Sequence, residues 1–252
     1  MTQYEDRTYG ERIAGVYDDF YGEYDEAMIE RLAELAGLGG QALELGIGTG
    51  RVALPLRQRG VEVTGIDVSP AMIARLRSKP GGAEVRVVEA SFAEFDLGAR
   101  FDLVYVVFNT FYSLLTQEEQ VSCFRSAARH LAEGGVFLLE VFCPDLCRFV
   151  DGQAVRAVRV ETDRLQFDIT MHDPVKQQVR SQHLLISEEE GLRLYPVVLR
   201  YAWPSELDLM ARLAGLGLRH RWSSWEKEAF GPRSTRHISV YGRAGDSSEL
   251  RD

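Results

Sequence analysis

The residues Leu43-Glu44-Leu45-Gly46-Ile47-Gly48-Thr49-Gly50-Arg51, followed by Val63-Thr64-Gly65-Ile66-Asp67, restrict this chain more than any other stretch. Residues 42–45 are short and apolar apart from Glu44, as a buried parallel strand requires. Three glycines then supply a turn that side chains would obstruct, which lets the backbone approach a ligand closely. Val52, Ala53, Leu54 and Leu56 give the next segment a helical apolar face, and the amides at its start attract oxygen atoms. Asp67 closes the apolar run 61–66; an acid at the carboxyl end of a second strand sits where a nucleoside presents its ribose hydroxyls.

The glycine spacing separates two families of nucleoside binders. Dinucleotide-binding dehydrogenases carry G-x-G-x-x-G, whereas this chain has G-x-G-x-G, an arginine at position 51 and an acid, Glu44, two residues before the first glycine. Both details resemble motif I of the class I S-adenosylmethionine-dependent methyltransferases. The resemblance implies S-adenosylmethionine as cofactor, with S-adenosylhomocysteine as product. It also implies that Glu44 supports the loop and the methionine amino end, that Gly46, Gly48 and Gly50 line the cofactor, and that Asp67 binds ribose. Arg51, Val68, Met72, Phe92 and Phe108 complete the expected cofactor site.

Further pieces of that family follow in order. Ser69 is an N-cap candidate and Pro70 fits the first helical position. After a third strand at 85–88, Ser91 stands where the family often has an acid for the adenine amino group, so a hydroxyl is expected to replace that contact. A fourth strand, 101–108, should border the transferable methyl at its carboxyl end, Phe108-Asn109-Thr110-Phe111.

At 252 residues and 45% hydrophobic composition, the chain can bury a full core and reads as one domain with an insertion. The opening residues are polar and acidic and no long apolar span occurs, so a cytoplasmic protein without membrane contact is expected. The formal charge of −9 argues against a nucleic-acid partner. Cys143 and Cys147 lie four apart with no further ligands at compact spacing, and no metal is expected. A monomer or homodimer acting on a small molecule or small peptide fits these limits.

The expected fold is α/β: a Rossmann-like methyltransferase sheet of seven strands, mostly parallel with an antiparallel last hairpin, helices on both faces, and an antiparallel β insertion covering the site. Residues 1–40 should form a helical lid, where Tyr9 and Tyr17 are the lid tyrosines of choice by resemblance to small-molecule methyltransferases. Residues 41–152 form the cofactor-binding core. Alternating, β-branched runs over 153–202 mark the cover, which resembles that of sugar amine and peptide amine N-methyltransferases, and 203–244 carry the final helix and hairpin.

Methyl transfer is a displacement at a sulfonium carbon, so the protein must mainly position nucleophile and methyl group. An amine need only be bound neutral, whereas a hydroxyl gains from a nearby base. His172 and His183 fall in the insertion; His237, opening the last strand, is the first choice of base, with Asn109 and Tyr112 beside it as catalytic candidates. His172, Tyr195, Tyr201 and Arg233 are the substrate candidates, Arg233 as a fork for a carboxylate. Two alternatives stay open: a protein of this fold that uses the cofactor for a non-methylating reaction such as cyclisation, and a transfer-RNA-modifying methyltransferase.

Overall fold

The computed structural model describes residues 4–22, 24–189, 191–243 and 245. The core is a seven-stranded sheet built from β1 (Gln41–Leu45), β2 (Glu62–Asp67), β3 (Arg86–Glu89), β4 (Phe101–Val106), β5 (Leu131–Phe142), β10 (Leu216–Trp222) and β11 (Arg236–Arg243). Their order is β10-β11-β5-β4-β1-β2-β3. β1 to β5 pair in parallel, and β11 runs against both of its neighbours. The chain winds one way from β1 through β2 and β3, then returns across β1 to β4 and β5. The crevice at the carboxyl ends of β1 and β4 is therefore the topological switch point, where such sheets bind ligands.

Two apolar layers sandwich the sheet. One packs α6 (Gln117–His130) and α7 (Pro204–Leu213) through Phe124, Ala127, Leu207 and Met210; the other packs α3 (Glu26–Ala36) and α4 (Ala53–Gln58) through Ile29, Leu32, Ala53 and Leu56. α6 begins in a full capping box, Thr116 with Glu119. Its helical spacing reads through Ala132 in the sequence, but it ends at His130, because Leu131 already pairs with Phe101 in the sheet.

β6 (Gln153–Val160), β7 (Arg164–Asp173), β8 (Gln178–Ser187) and β9 (Gly191–Arg200) form a separate antiparallel sheet. His172-Asp173-Pro174 reads as a turn in the sequence, but the reversal falls at 174–177, where Asp173 Oδ1 accepts from the amides of Val175 and Lys176. That shift sets the register of the hairpin, with Asp173 opposite Gln178.

The amino-terminal segment breaks into α1 (Thr8–Ile13), α2 (Tyr17–Tyr21) and α3 rather than one continuous helix. It straps the two sheets together. On the core side Glu11 Oε1 accepts from Ser69 Oγ (2.8 Å) and the Ala71 amide (3.1 Å), and Thr49 Oγ1 donates to Asp18 (2.7 Å). On the cover side Phe20 meets the Tyr195 ring edge-on at 5.4 Å, and the Val198 amide donates to the Tyr4 hydroxyl.

Candidate functional site

A cavity of about 530 Å³ lies where these three parts meet. Its floor is the glycine turn after β1. Gly46, Gly48 and Gly50 all have φ between 54° and 76°, a region costly for residues bearing a Cβ. A Cβ on Gly46 would stand 2.4 Å from Thr110, and one on Gly50 2.2 Å from Leu76, whereas beside Gly48 the space is open. Gly46 and Gly48 line the cavity; Gly50 serves the packing of the turn on α5 (Pro70–Arg77).

Asp67, at the end of β2, lines the same wall. Its Oδ2 accepts from the Gly48 amide (2.7 Å) and its Oδ1 from the Ser69 amide (2.9 Å). Burial pushes its carboxyl up, and the backbone amides of Ser69, Gly48 and Val68 pull it back. A carboxylate has lone pairs beyond those two bonds, and Asp67 presents them to the cavity. Val68, Met72 and Phe92 line the cavity beside it and give that part an apolar surface. Ser91 does not line the cavity: its hydroxyl accepts from the Ala93 amide in a local turn.

Glu44 lies below the turn, buried, with Oε2 accepting from the Tyr105 hydroxyl at 2.9 Å. Burial pushes it up to about 8, against the Tyr105 bond and the charge of Arg51. The resemblance gives Glu44 both the loop and the methionine amino end; its carboxylate sits in β1, off the cavity lining, and holds Tyr105. Arg51 likewise stands behind the wall, its guanidinium 4.5 Å over the Phe108 ring and bonded to the Tyr17 hydroxyl.

Phe108 and Asn109 end the β4 crossing with φ of 59° and 65°. That pair is held from below: Glu140 Oε2 accepts from the Phe108 amide (3.0 Å), and Asn109 Oδ1 accepts from the Phe142 amide (2.7 Å). Both residues line the cavity, but the Asn109 carbonyl oxygen is spent on the turn. Above them the lid supplies Tyr9, Tyr17 and Tyr21; Tyr9 and Tyr21 share a 2.8 Å hydroxyl bond, and Tyr21 meets Phe108 edge-on at 4.9 Å. Burial raises all three hydroxyls, so they stay protonated at neutral pH.

The cover supplies the opposite wall. Asp168 and Thr170 of β7, Ser181 and His183 of β8, and Arg156 of β6 face the cavity. His183 Nδ1 lies 2.6 Å from Asp168 Oδ1, and Arg156 donates to Asp168 Oδ2 at 2.8 Å. Burial alone would raise the Asp168 carboxyl, but the bonds from His183 and Arg156 outweigh it and hold it below the usual carboxylate range.

Six expectations change here. His237 is fully buried on the face of β11 that packs against α7, bonded to Ser239 Oγ at 2.8 Å and edge-on to Phe230. Its strand end was placed correctly, but alternation turns residue 237 away from the crevice and leaves Arg236 to bond Glu140. Burial, aided by Arg221, pushes His237 down to about 3, so it is no base at neutral pH. Tyr112 is also fully buried, donating to the Ala202 carbonyl at 2.8 Å, and acts as a strut. His172 and Tyr201 bond each other at 3.0 Å at the far end of β7, with His172 stacked on Phe149. Tyr195 is on the cavity face of β9 but lies under Phe20. Arg233 is exposed, away from the cavity.

Asp168, Arg156 and Tyr21 were missed as site residues. The signal for the first two was hidden in hairpin register: a turn closed at 172–174 would put residue 178, not His183, opposite Asp168. Among the described residues no group of acids, histidines and cysteines is arranged to hold a metal, and no helix is long and apolar enough to cross a membrane.

A family profile described as a methyltransferase domain matches residues 42–135. The cypemycin N-terminal methyltransferase of a Streptomyces species is 30% identical over 242 residues, covering 90% of this chain and 98% of that one. The structure of the CcbJ methyltransferase from Streptomyces caelestis superposes with a TM-score of 0.90 at 40% identity, over 96% of this chain and all of its own. S-adenosylmethionine-bound CalS10, an amino pentose methyltransferase from Micromonospora echinaspora, gives 0.69 at 25% identity over 97% of this chain and 99% of its own. With the glycine turn, the second-strand acid and the switch-point cavity in one place, these matches fix the family: the chain belongs to the class I S-adenosylmethionine-dependent methyltransferases.

Proposed function

We propose that this enzyme methylates an amine nitrogen of a small natural product or short peptide, working in the cytoplasm as a monomer or homodimer. The observation that carries the reading is the enclosure of the cavity. Core turn, lid and cover close on one space of about 530 Å³, suited to a cofactor and a compact acceptor rather than to a nucleic-acid strand. The net charge of −9 agrees with that choice. Two relatives point to nitrogen by name, one an N-terminal methyltransferase and the other an amino pentose methyltransferase.

The residues present fit the cofactor. Open space beside Gly48 and the unused lone pairs of Asp67 suit a ribose; Val68, Met72 and Phe92 suit an adenine ring, with Phe92 and backbone standing in for the acid the family often has near Ser91. When bound, S-adenosylmethionine supplies an electrophilic methyl group on a sulfonium sulfur. The chain's own residues position the acceptor. Phe108, braced by Glu140 and Arg51, and Tyr21 above it give a rigid aromatic surface at the carboxyl end of β4, and the lid tyrosines exclude water.

The test is methyl transfer from methyl-labelled S-adenosylmethionine to a tripeptide with a free amino terminus and to an aminohexose glycoside, each beside its N-acetylated form. Label is expected on the free amines alone. Label on hydroxyl oxygens of the acetylated forms would overturn nitrogen as the acceptor.

A further inference from the structure

Three charged side chains cross the cover sheet in one row. Arg156 of β6 stands opposite Asp168 of β7, and Asp168 opposite His183 of β8. All three line the cavity on the wall facing the glycine turn. With a carboxylate 2.6 Å from Nδ1, that nitrogen carries the proton, which leaves Nε2 as the acceptor. His183 lines the cavity, so Nε2 is the nitrogen left to meet an acceptor there. Resting on the amine reading above, we propose that His183, oriented by Asp168, is the base that frees the acceptor nitrogen for methylation.

The step balances as follows. An alkylammonium acceptor gives one proton to His183 Nε2, and the freed nitrogen lone pair forms the new N–C bond. The C–S bond breaks with its electron pair left on sulfur, and the imidazolium returns its proton to water. The need is real at neutral pH, since an amino terminus with a pKa near 8 is only about a tenth neutral at pH 7, and an alkylamine with a lysine-like pKa near 10.4 only about one part in 2,500. Asp168 steadies the imidazolium, and Arg156 on its other oxygen tempers that effect.

Other groups around His183 are poorer bases. Tyr195 faces it across β9, and Tyr21 approaches Asp168 from the lid; burial raises the Tyr21 hydroxyl. Asp6 lies at the cofactor end beside Val68 and Glu89, and Arg148 at the mouth is a cation.

The test uses the intact enzyme with the free-amine tripeptide and aminohexose glycoside as acceptors. At pH 7, H183Q should turn over the tripeptide about 10-fold more slowly, approach the wild type near pH 9, where the amine is neutral unaided, and keep its affinity for S-adenosylhomocysteine. Wild-type turnover in H183Q at pH 7, or an equal loss at every pH, would overturn the proposal. A wild type that methylates only oxygen sinks the amine reading separately. In the same assay D168N should lose turnover at pH 7, regain it toward pH 9 and keep its affinity for S-adenosylhomocysteine; wild-type turnover in D168N at pH 7 overturns the pairing on which the role depends.

Discussion

The two walls of the cavity were built by different rules. The core wall comes mostly from one continuous stretch, residues 46–72, in which glycines, acid and cap lie at fixed spacing along the chain. The cover wall comes from three strands whose chemical groups lie 12 and 15 residues apart and meet only through register. Local spacing serves a ligand shared by a whole family; register lets neighbouring strands exchange one polar group for another without disturbing the fold. Cofactor affinity should therefore reside in the first wall and acceptor chemistry in the second.

The largest effect expected from breaking this division is Asp67→Ala, which removes the carboxylate that holds the Gly48 and Ser69 amides. Affinity for S-adenosylhomocysteine should fall roughly 10- to 100-fold by calorimetry, the scale of a charge-assisted hydrogen bond. Unchanged affinity would remove ribose binding from this residue.

Next comes Glu44→Gln. The folded-state pKa of Glu44 is raised to about 8 by burial, so its contribution is fully present below about pH 4.5 and is lost as pH rises toward 8. Thermal unfolding should show the wild type losing roughly 1–3 kcal/mol across that window, with the glutamine variant flatter. A parallel decline in both proteins would place the ionisation elsewhere.

A smaller effect belongs to Arg156→Ala. Its partner pair is largely exposed on the arginine side, so removing it should cost less than about fivefold in turnover and spare cofactor affinity. Loss of cofactor binding here would merge the two walls into one functional unit.

The smallest change in catalysis is expected for His237→Phe. Turnover should stay within about twofold of wild type, since the ring lies off the cavity and Ser239 keeps its bond from Arg221. Stability is where this residue shows itself. With its pKa lowered to about 3 by burial, its contribution is present above about pH 6.5 and is lost as pH falls toward 3. Acid unfolding should accordingly be shallower in the phenylalanine variant.

The core wall was legible in the sequence because each of its devices is local: Gly46 needs a positive φ, Ser69 caps a helix, and Asp67 closes a strand. The strands were legible from period and order, and the resemblance of the glycine motif to the methyltransferases implied how they assemble into sheet and cover. The acceptor side was not legible. His237 failed because alternation decides which face a strand residue takes, and one position reverses it. His172 and Tyr201 had the right sheet but the wrong end, which depends on how far the turn after β7 extends. The Asp168–His183 pair required a register that four turn residues determine and that no spacing in the chain announces.

The strap has a consequence for how the enzyme comes into being. Its Tyr4 hydroxyl takes a hydrogen bond from Val198, 194 residues later in the chain, and Phe20 waits for Tyr195. On the ribosome this segment emerges first and finds its last partners among the final strands of the cover. The glycine turn can form early from neighbouring residues, but the closed cavity is among the last features to assemble, after the long-range pairings have been made.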